Sequence, residues 1–168
     1  MTPARTRSAA PPPSPAWRDA LELPDVGLVA RIVRLNLFVT RVLEELTSDE
    51  GISPADYLVL GVLRRSPDQR SSPSQMCEIL GRSSGGMTLT LDRLEAAGWV
   101  ARTHDPRDRR RVLVTLTPDG EVLSTKINDA LHEWENALKL NRRQRDDTIR
   151  FVDELIGVFE RATDPNGS

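Results

Sequence analysis

The chain has 168 residues, 38% of them apolar and 29% charged, and a net charge of −2. That composition is expected of a soluble globular protein with one modest core, and no apolar run approaches the roughly 18 residues that a membrane span needs. The single cysteine, Cys77, excludes an internal disulfide, and no Cys/His cluster has metal-ligand spacing. No metal is therefore expected, and a reducing cytoplasm fits.

The opening stretch "MTPARTRSAAPPPSPAW" lacks the apolar centre of a secretory signal. Residues 1–24 read as a disordered, proline-rich arm; two arginines and no acid over residues 1–17 also suit a transit peptide. From Leu28 an apolar stripe runs Leu28, Ile32, Leu35, Val39, Val42, Leu46, in steps of four and three. This spacing predicts a helix with a sustained seam. Val29, Val33, Leu37 and Leu43 widen it, and a helix apolar on more than one side packs against more than one element. Ser53 and Pro54 read as the cap and first residue of a second helix, with Leu58, Val62 and Leu63 as its core face. Residues 66–72, "SPDQRSS", read as a polar loop. Residues 73–80 form a short helix stopped by Gly81, with Met76, Ile79 and Leu80 inward.

The next helix opens at Ser83 or Ser84, turns Met87, Leu91 and Leu94 inward, and ends at Gly98. "WVART" and "RVLVTL" are β-branched runs on either side of an arginine-rich segment, which predicts a hairpin. Thr117 and Pro118 start a helix with Leu123, Ile127, Leu131, Trp134 and Leu138 on one face. Asn141 caps the last helix, whose face is Ile149, Val152, Ile156 and Phe159; residues 163–168 read as a frayed tail.

A short helix, a tight glycine turn and a second helix make a helix-turn-helix, and the hairpin directly after it makes a wing. The expected fold is mainly α with a small β-hairpin wing. The winged helix-turn-helix spans residues 52–116, and dimerisation helices span 25–51 and 117–162. The terminal helices carry more apolar surface than a small winged domain can cover. A homodimer is therefore expected, closed by Leu28, Ile32, Leu35 and Val39 at one end of the chain and by Ile149, Val152, Ile156 and Phe159 at the other.

The net charge hides a pattern. Residues 52–120 hold ten bases and eight acids, whereas 18–51 and 121–168 are acidic, and residues 102–111 carry five arginines against two aspartates. A local basic patch, rather than the total, is the footprint of nucleic-acid binding. In a helix-turn-helix the second helix reads base edges in the major groove near its N-terminus. With Met87, Leu91 and Leu94 inward, the outer face is Ser84, Gly85, Thr88, Leu89, Asp92 and Arg93, with Ser83 at the cap. Gly85 and Gly86 cost about 1 kcal/mol each against alanine in a formed helix. They either give clearance for the backbone to close on phosphate or leave the first turn loose. Thr88 can bond a base or touch a thymine methyl; Leu89 can only do the latter, unless it is partly buried. Arg93 suits a phosphate.

In the wing, "HDPRDRRRVLVTL", Arg107, Arg109, Arg110 and Arg111 are interleaved with Asp105 and Asp108. Asp105 and Pro106 signal a turn. Asp108 is placed to hold a neighbouring guanidinium as a bidentate pair, which would shape the tip for the minor groove, where arginine is favoured. The plain alternative is a solvated hairpin of mixed charge.

The run "SSGGMTLTLDRLEAAGWVARTHDPRDRRRVLVTLTPDGEVL" resembles the multiple-antibiotic-resistance regulator (MarR) family of winged helix-turn-helix repressors. The likeness is tight over residues 83–123, and the helix order extends it over about 25–162. It implies homodimers with interleaved N- and C-terminal helices, double-stranded DNA with a pseudo-palindromic operator as partner, and often release by a small aromatic or phenolic effector. No cofactor is implied. By position, Arg110 resembles the family's wing arginine, Asp108 its positioning partner, and Thr88 a base-reading residue. Leu89 departs from the polar residue often found there. Trp134 is then either core packing or the wall of an effector pocket.

Three rival readings remain. "GRSSG", residues 81–85, matches the G-x-S-x-G elbow of a serine esterase, but that motif needs a preceding strand and a β-sheet scaffold, and a short helix precedes it here. A winged domain used only for protein contacts is the second. A redox role for Cys77 is the third; a buried, inert thiol is the simpler reading.

Overall fold

The computed structural model describes residues 27–105, 108 and 110–163; the expected arm, Arg107, Arg109 and the last five residues lie outside them. Among the described residues the order is α1 (Leu28–Ser48), α2 (Pro54–Arg65), a 3-10 turn (Pro67–Gln69), β1 (Arg70–Ser71), α3 (Pro73–Leu80), α4 (Ser84–Ala96), β2 (Val100–His104), β3 (Val112–Leu116), α5 (Pro118–Ala137) and α6 (Arg142–Thr163). The fold is mainly α with a small antiparallel sheet, as expected. Thr163, read as the start of the tail, is the last residue of α6. The chain forms two compact units that divide inside α5, one up to Asn128 and one from Asp129.

The first unit is built on local signals that agree with one another. Ser53 and Asp56 form a capping box at the start of α2, and Ser72 and Gln75 form another at the start of α3, each followed by proline at the first helical position. Gly81 ends α3 in the left-handed region at φ 60°, a conformation that costs glycine nothing. Val59, Leu60, Leu63, Met76, Met87, Leu91, Leu94, Val114 and Ile127 are at most 1% exposed. This core joins α2, α3, α4, β3 and the start of α5.

Four expectations are corrected. Leu58 is 39% exposed while Val59 and Leu60 are fully buried, because the buried arc of α2 centres on Leu60 and Leu63, and Leu58 is two residues and about 200° away from Leu60. Ile79 is 63% exposed. The two-turn helix α3 packs through buried Met76 with half-buried Cys77 and Leu80, which leaves Ile79 at its edge. The thiol of Cys77 is thus only partly covered, not fully buried. The polar loop 66–72 contains strand β1, which pairs antiparallel with β3 (Arg70 opposite Thr115, Ser71 opposite Val114) and gives a sheet of order β1-β3-β2. Two polar residues have no readable alternation; the partner strand supplies the ladder.

Only the C-terminal half of α1 is covered: Val42, Leu46 and Thr47 are buried, whereas Leu28, Leu35 and Val39 are 45–57% exposed and Ile32 is half-buried. In the second unit Asn141 caps α6 as expected, its Oδ1 accepting from Gln144 N at 2.9 Å while Gln144 Oε1 accepts from Asn141 N at 3.0 Å. Ile149, Val152, Ile156 and Phe159 are 38–54% exposed. Trp134 and Leu138 are also exposed, Leu138 lying just past the end of α5. No described helix is long and apolar enough to cross a membrane.

Candidate nucleic-acid interface

Helix α4 begins where Ser83 Oγ accepts from Gly86 N at 3.3 Å, so Ser83, not Ser84, is the cap. Met87, Leu91 and Leu94 anchor its inner face, as expected. Thr90, also buried, donates its hydroxyl to Gly86 O at 3.1 Å and accepts from Arg82 Nη1 at 3.2 Å. Ser83, Ser84, Gly85, Thr88, Leu89 and Arg93 are all exposed, on the outward side of the helix. Thr88 Oγ1 donates to Ser84 O at 2.9 Å.

Arg93, expected to suit a phosphate, is bonded within the protein. Its Nη2 donates to Asp56 Oδ1 at 2.7 Å, with Asp56 almost covered and Arg93 more than half exposed. The other carboxylate oxygen, Oδ2, accepts from Ser53 N at 3.0 Å and Ser53 Oγ at 2.7 Å. One carboxylate therefore closes the cap of α2 and holds α4. The capping-box spacing of Ser53 and Asp56 was the available signal for Asp56; its bond to Arg93, 37 residues away, had none.

Burial pushes the Asp56 carboxyl up, but hydrogen bonds from Ser53 and then the Arg93 guanidinium outweigh it and hold the group below its ordinary value. A depressed folded value means the contribution is present above the unfolded value of about 3.9 and fades as pH falls through the folded one. Asp56→Ala is expected to cost about 2 kcal/mol at neutral pH, for one cap and one charge-assisted bond. In urea titrations the gap from wild type narrows below about pH 4; a gap that ignores pH would contradict this role.

The wing is tied to α4 at its root. Arg102 on β2 donates from Nη1 to Asp92 Oδ1 at 2.7 Å and to Glu95 Oε2 at 3.0 Å, and its backbone N–H donates to Glu95 Oε1 at 3.1 Å. The wing loop is closed by Asp105 N to Arg111 O at 2.9 Å and Arg111 N to Asp108 O at 2.9 Å. Among the described residues, the Asp108 carboxylate accepts from the backbone N–H of Arg110 at 3.0 Å; the guanidinium groups of Arg107 and Arg109, with which a bidentate pair was expected, lie outside the described residues. Arg110 and Arg111 are exposed at the tip. No group of three or more metal-binding side chains occurs among the described residues.

Residues 50–111 match the model of the MarR family. The transcriptional regulator PecS of Dickeya dadantii is 33% identical over 117 residues, covering 66% of this chain and 69% of PecS.

The chain belongs to the MarR family.

The structure of apo MarR from Escherichia coli superposes with a TM-score of 0.66 at 26% identity, over 77% of this chain and 96% of that one. A mutant of that MarR, solved in complex with operator DNA, matches with a TM-score of 0.60 at 26% identity, over 77% and 99% of the two chains. This MarR-family chain is a DNA-binding transcriptional regulator. It is not an enzyme: the serine of its "GRSSG" run is a helix cap in a family of regulators.

Proposed function

We propose that the protein is a cytoplasmic, homodimeric, ligand-responsive repressor that binds a pseudo-palindromic operator. Each subunit lays α4 in the major groove through Ser83, Ser84, Gly85, Thr88 and Leu89. The wing, with Arg107, Arg109, Arg110 and Arg111, enters the adjacent minor groove, and Asp108 sets the backbone of its tip. Arg93 holds the reading helix in place rather than gripping DNA. The observation that carries this reading is the exposed outer face of α4 joined through Arg102 to a wing with exposed arginines at its tip.

The apolar residues exposed on the N-terminal half of α1 and on α6 support a second copy as their cover. On this division residues 52–116 read DNA, and 25–51 with 117–162 hold the dimer. A two-fold dimer presents two reading helices to half-sites about one duplex turn, roughly 34 Å, apart. The family pattern supports a small aromatic or phenolic effector, which would lower affinity by changing the spacing of the two heads.

Selection of bound sites from random duplex DNA is expected to recover an inverted repeat. Affinity for it should fall steeply with salt, log K changing by roughly −0.9 per log unit of salt for each phosphate neutralised. A pool without a repeat, or a flat salt response, would favour a protein-interaction module instead. Sedimentation showing a monomer at micromolar concentration would end the dimer.

A further inference from the structure

The outer face of α4 has few means of reading DNA. Residues 84–96 contain no lysine, asparagine or glutamine, and their one arginine, Arg93, is bonded to Asp56. Asp92 is bonded to Arg102. Thr88 has given its hydroxyl proton to the Ser84 carbonyl, so it offers a base only lone pairs and a methyl group. Guanine and adenine are read in the major groove chiefly by bidentate arginine, lysine, asparagine or glutamine, and this helix has none to offer. What it does offer is Leu89, an isobutyl group 64% exposed.

Gly85 lies one turn before Leu89. A Cβ built there meets nothing within 4 Å, and its backbone is not in the left-handed region. Nothing among the described residues requires glycine at this position, although it weakens the helix relative to alanine. Helical side chains lean toward the N-terminus, so Leu89 leans over the bare turn at Gly85. The two make a shallow notch with an apolar wall and no side chain on its floor.

We infer that this Gly85–Leu89 notch is the specificity element of the reading helix, and that it takes the C5 methyl of a thymine in each half-site. The inference rests on the DNA-binding reading above. Its test uses the full-length protein and the operator recovered by selection, with each thymine replaced in turn by uracil, which removes only the methyl. At one or more symmetric positions uracil is expected to weaken wild type about three- to tenfold, the scale of burying one methyl at each half-site. Leu89→Ala, whose side chain supports no core, should bind the thymine operator at that reduced level and be indifferent to uracil there. Gly85→Ala should melt no lower than wild type yet lose operator affinity by a similar factor. Full uracil sensitivity in Leu89→Ala, no sensitive thymine at all, or undiminished operator binding by Gly85→Ala overturns the notch. If no operator is recovered, it is the DNA-binding reading that has failed.

Discussion

Gly120→Ala is expected to destabilise the protein by about 3 kcal/mol or more, the upper range for forcing atoms into a packed site. The melting temperature should fall by roughly 6–12 °C at this chain length. Gly120 lies in the first turn of α5 with ordinary helical backbone, where alanine elsewhere would gain about 1 kcal/mol. Here a Cβ would collide with Trp99 O, and would stand 2.9 Å from Trp99 C and 3.0 Å from Leu116 Cδ1. The obstacle is backbone, so no rotamer change relieves it. Nor can the turn retreat cheaply: Thr117 N donates to the same Trp99 oxygen at 3.1 Å, Thr117 Oγ1 donates to Gly98 O at 2.8 Å, and Gly120 N donates to Thr117 Oγ1 at 3.0 Å. Gly98, Trp99, Thr117 and Gly120 thus clamp the end of the reading helix, the root of the wing and the start of α5 together. Thermal melts of Gly120→Ala beside Gly85→Ala separate the two kinds of helical glycine. A Gly120→Ala protein as stable as wild type would show that the clamp does not exist.

Arg110→Ala is expected to cost about 1–3 kcal/mol in operator binding, or roughly five- to more than a hundredfold in affinity, with the fold intact. The side chain is exposed, and the hydrogen bond that shapes the tip runs from the Arg110 backbone to Asp108, so alanine removes the guanidinium without opening the loop. A footprint titration at fixed salt measures the loss. Arg110→Lys keeps the charge but not the planar, weakly hydrated head that the minor groove favours, so it should recover only part of the affinity. Asp108→Ala frees the Arg110 N–H and should weaken binding less than Arg110→Ala does. Unchanged operator affinity in Arg110→Ala would remove the wing from the interface.

Much of the architecture was legible because the deciding interactions are local. Ser53, Ser83 and Asn141 were readable as caps, since each accepts from an N–H only three residues on. Met87, Leu91 and Leu94 repeat at helical spacing and are buried together. The hairpin followed from two β-branched runs around a turn, and the outer face of α4 from subtraction of its inner face. What was misread involves partners distant in sequence. Leu58 and Ile79 are apolar, and only the placement of neighbouring elements settles which apolar residues of a helix are covered.

The sequence alone determined the order of the helices, their caps, the hairpin, the exposed face of the reading helix and the family. All depend on contacts within a few residues or on composition, which a linear string records. The tertiary structure decided which charges are committed: Arg93 to Asp56, and Arg102 to Asp92 and Glu95. It also decided that β1 exists, and that Gly120 is required by the Trp99 backbone whereas Gly85 is required by nothing among the described residues. A charge run or a glycine looks the same in sequence whatever faces it, because its role depends on atoms brought within about 3 Å by the packing of segments far apart in the chain.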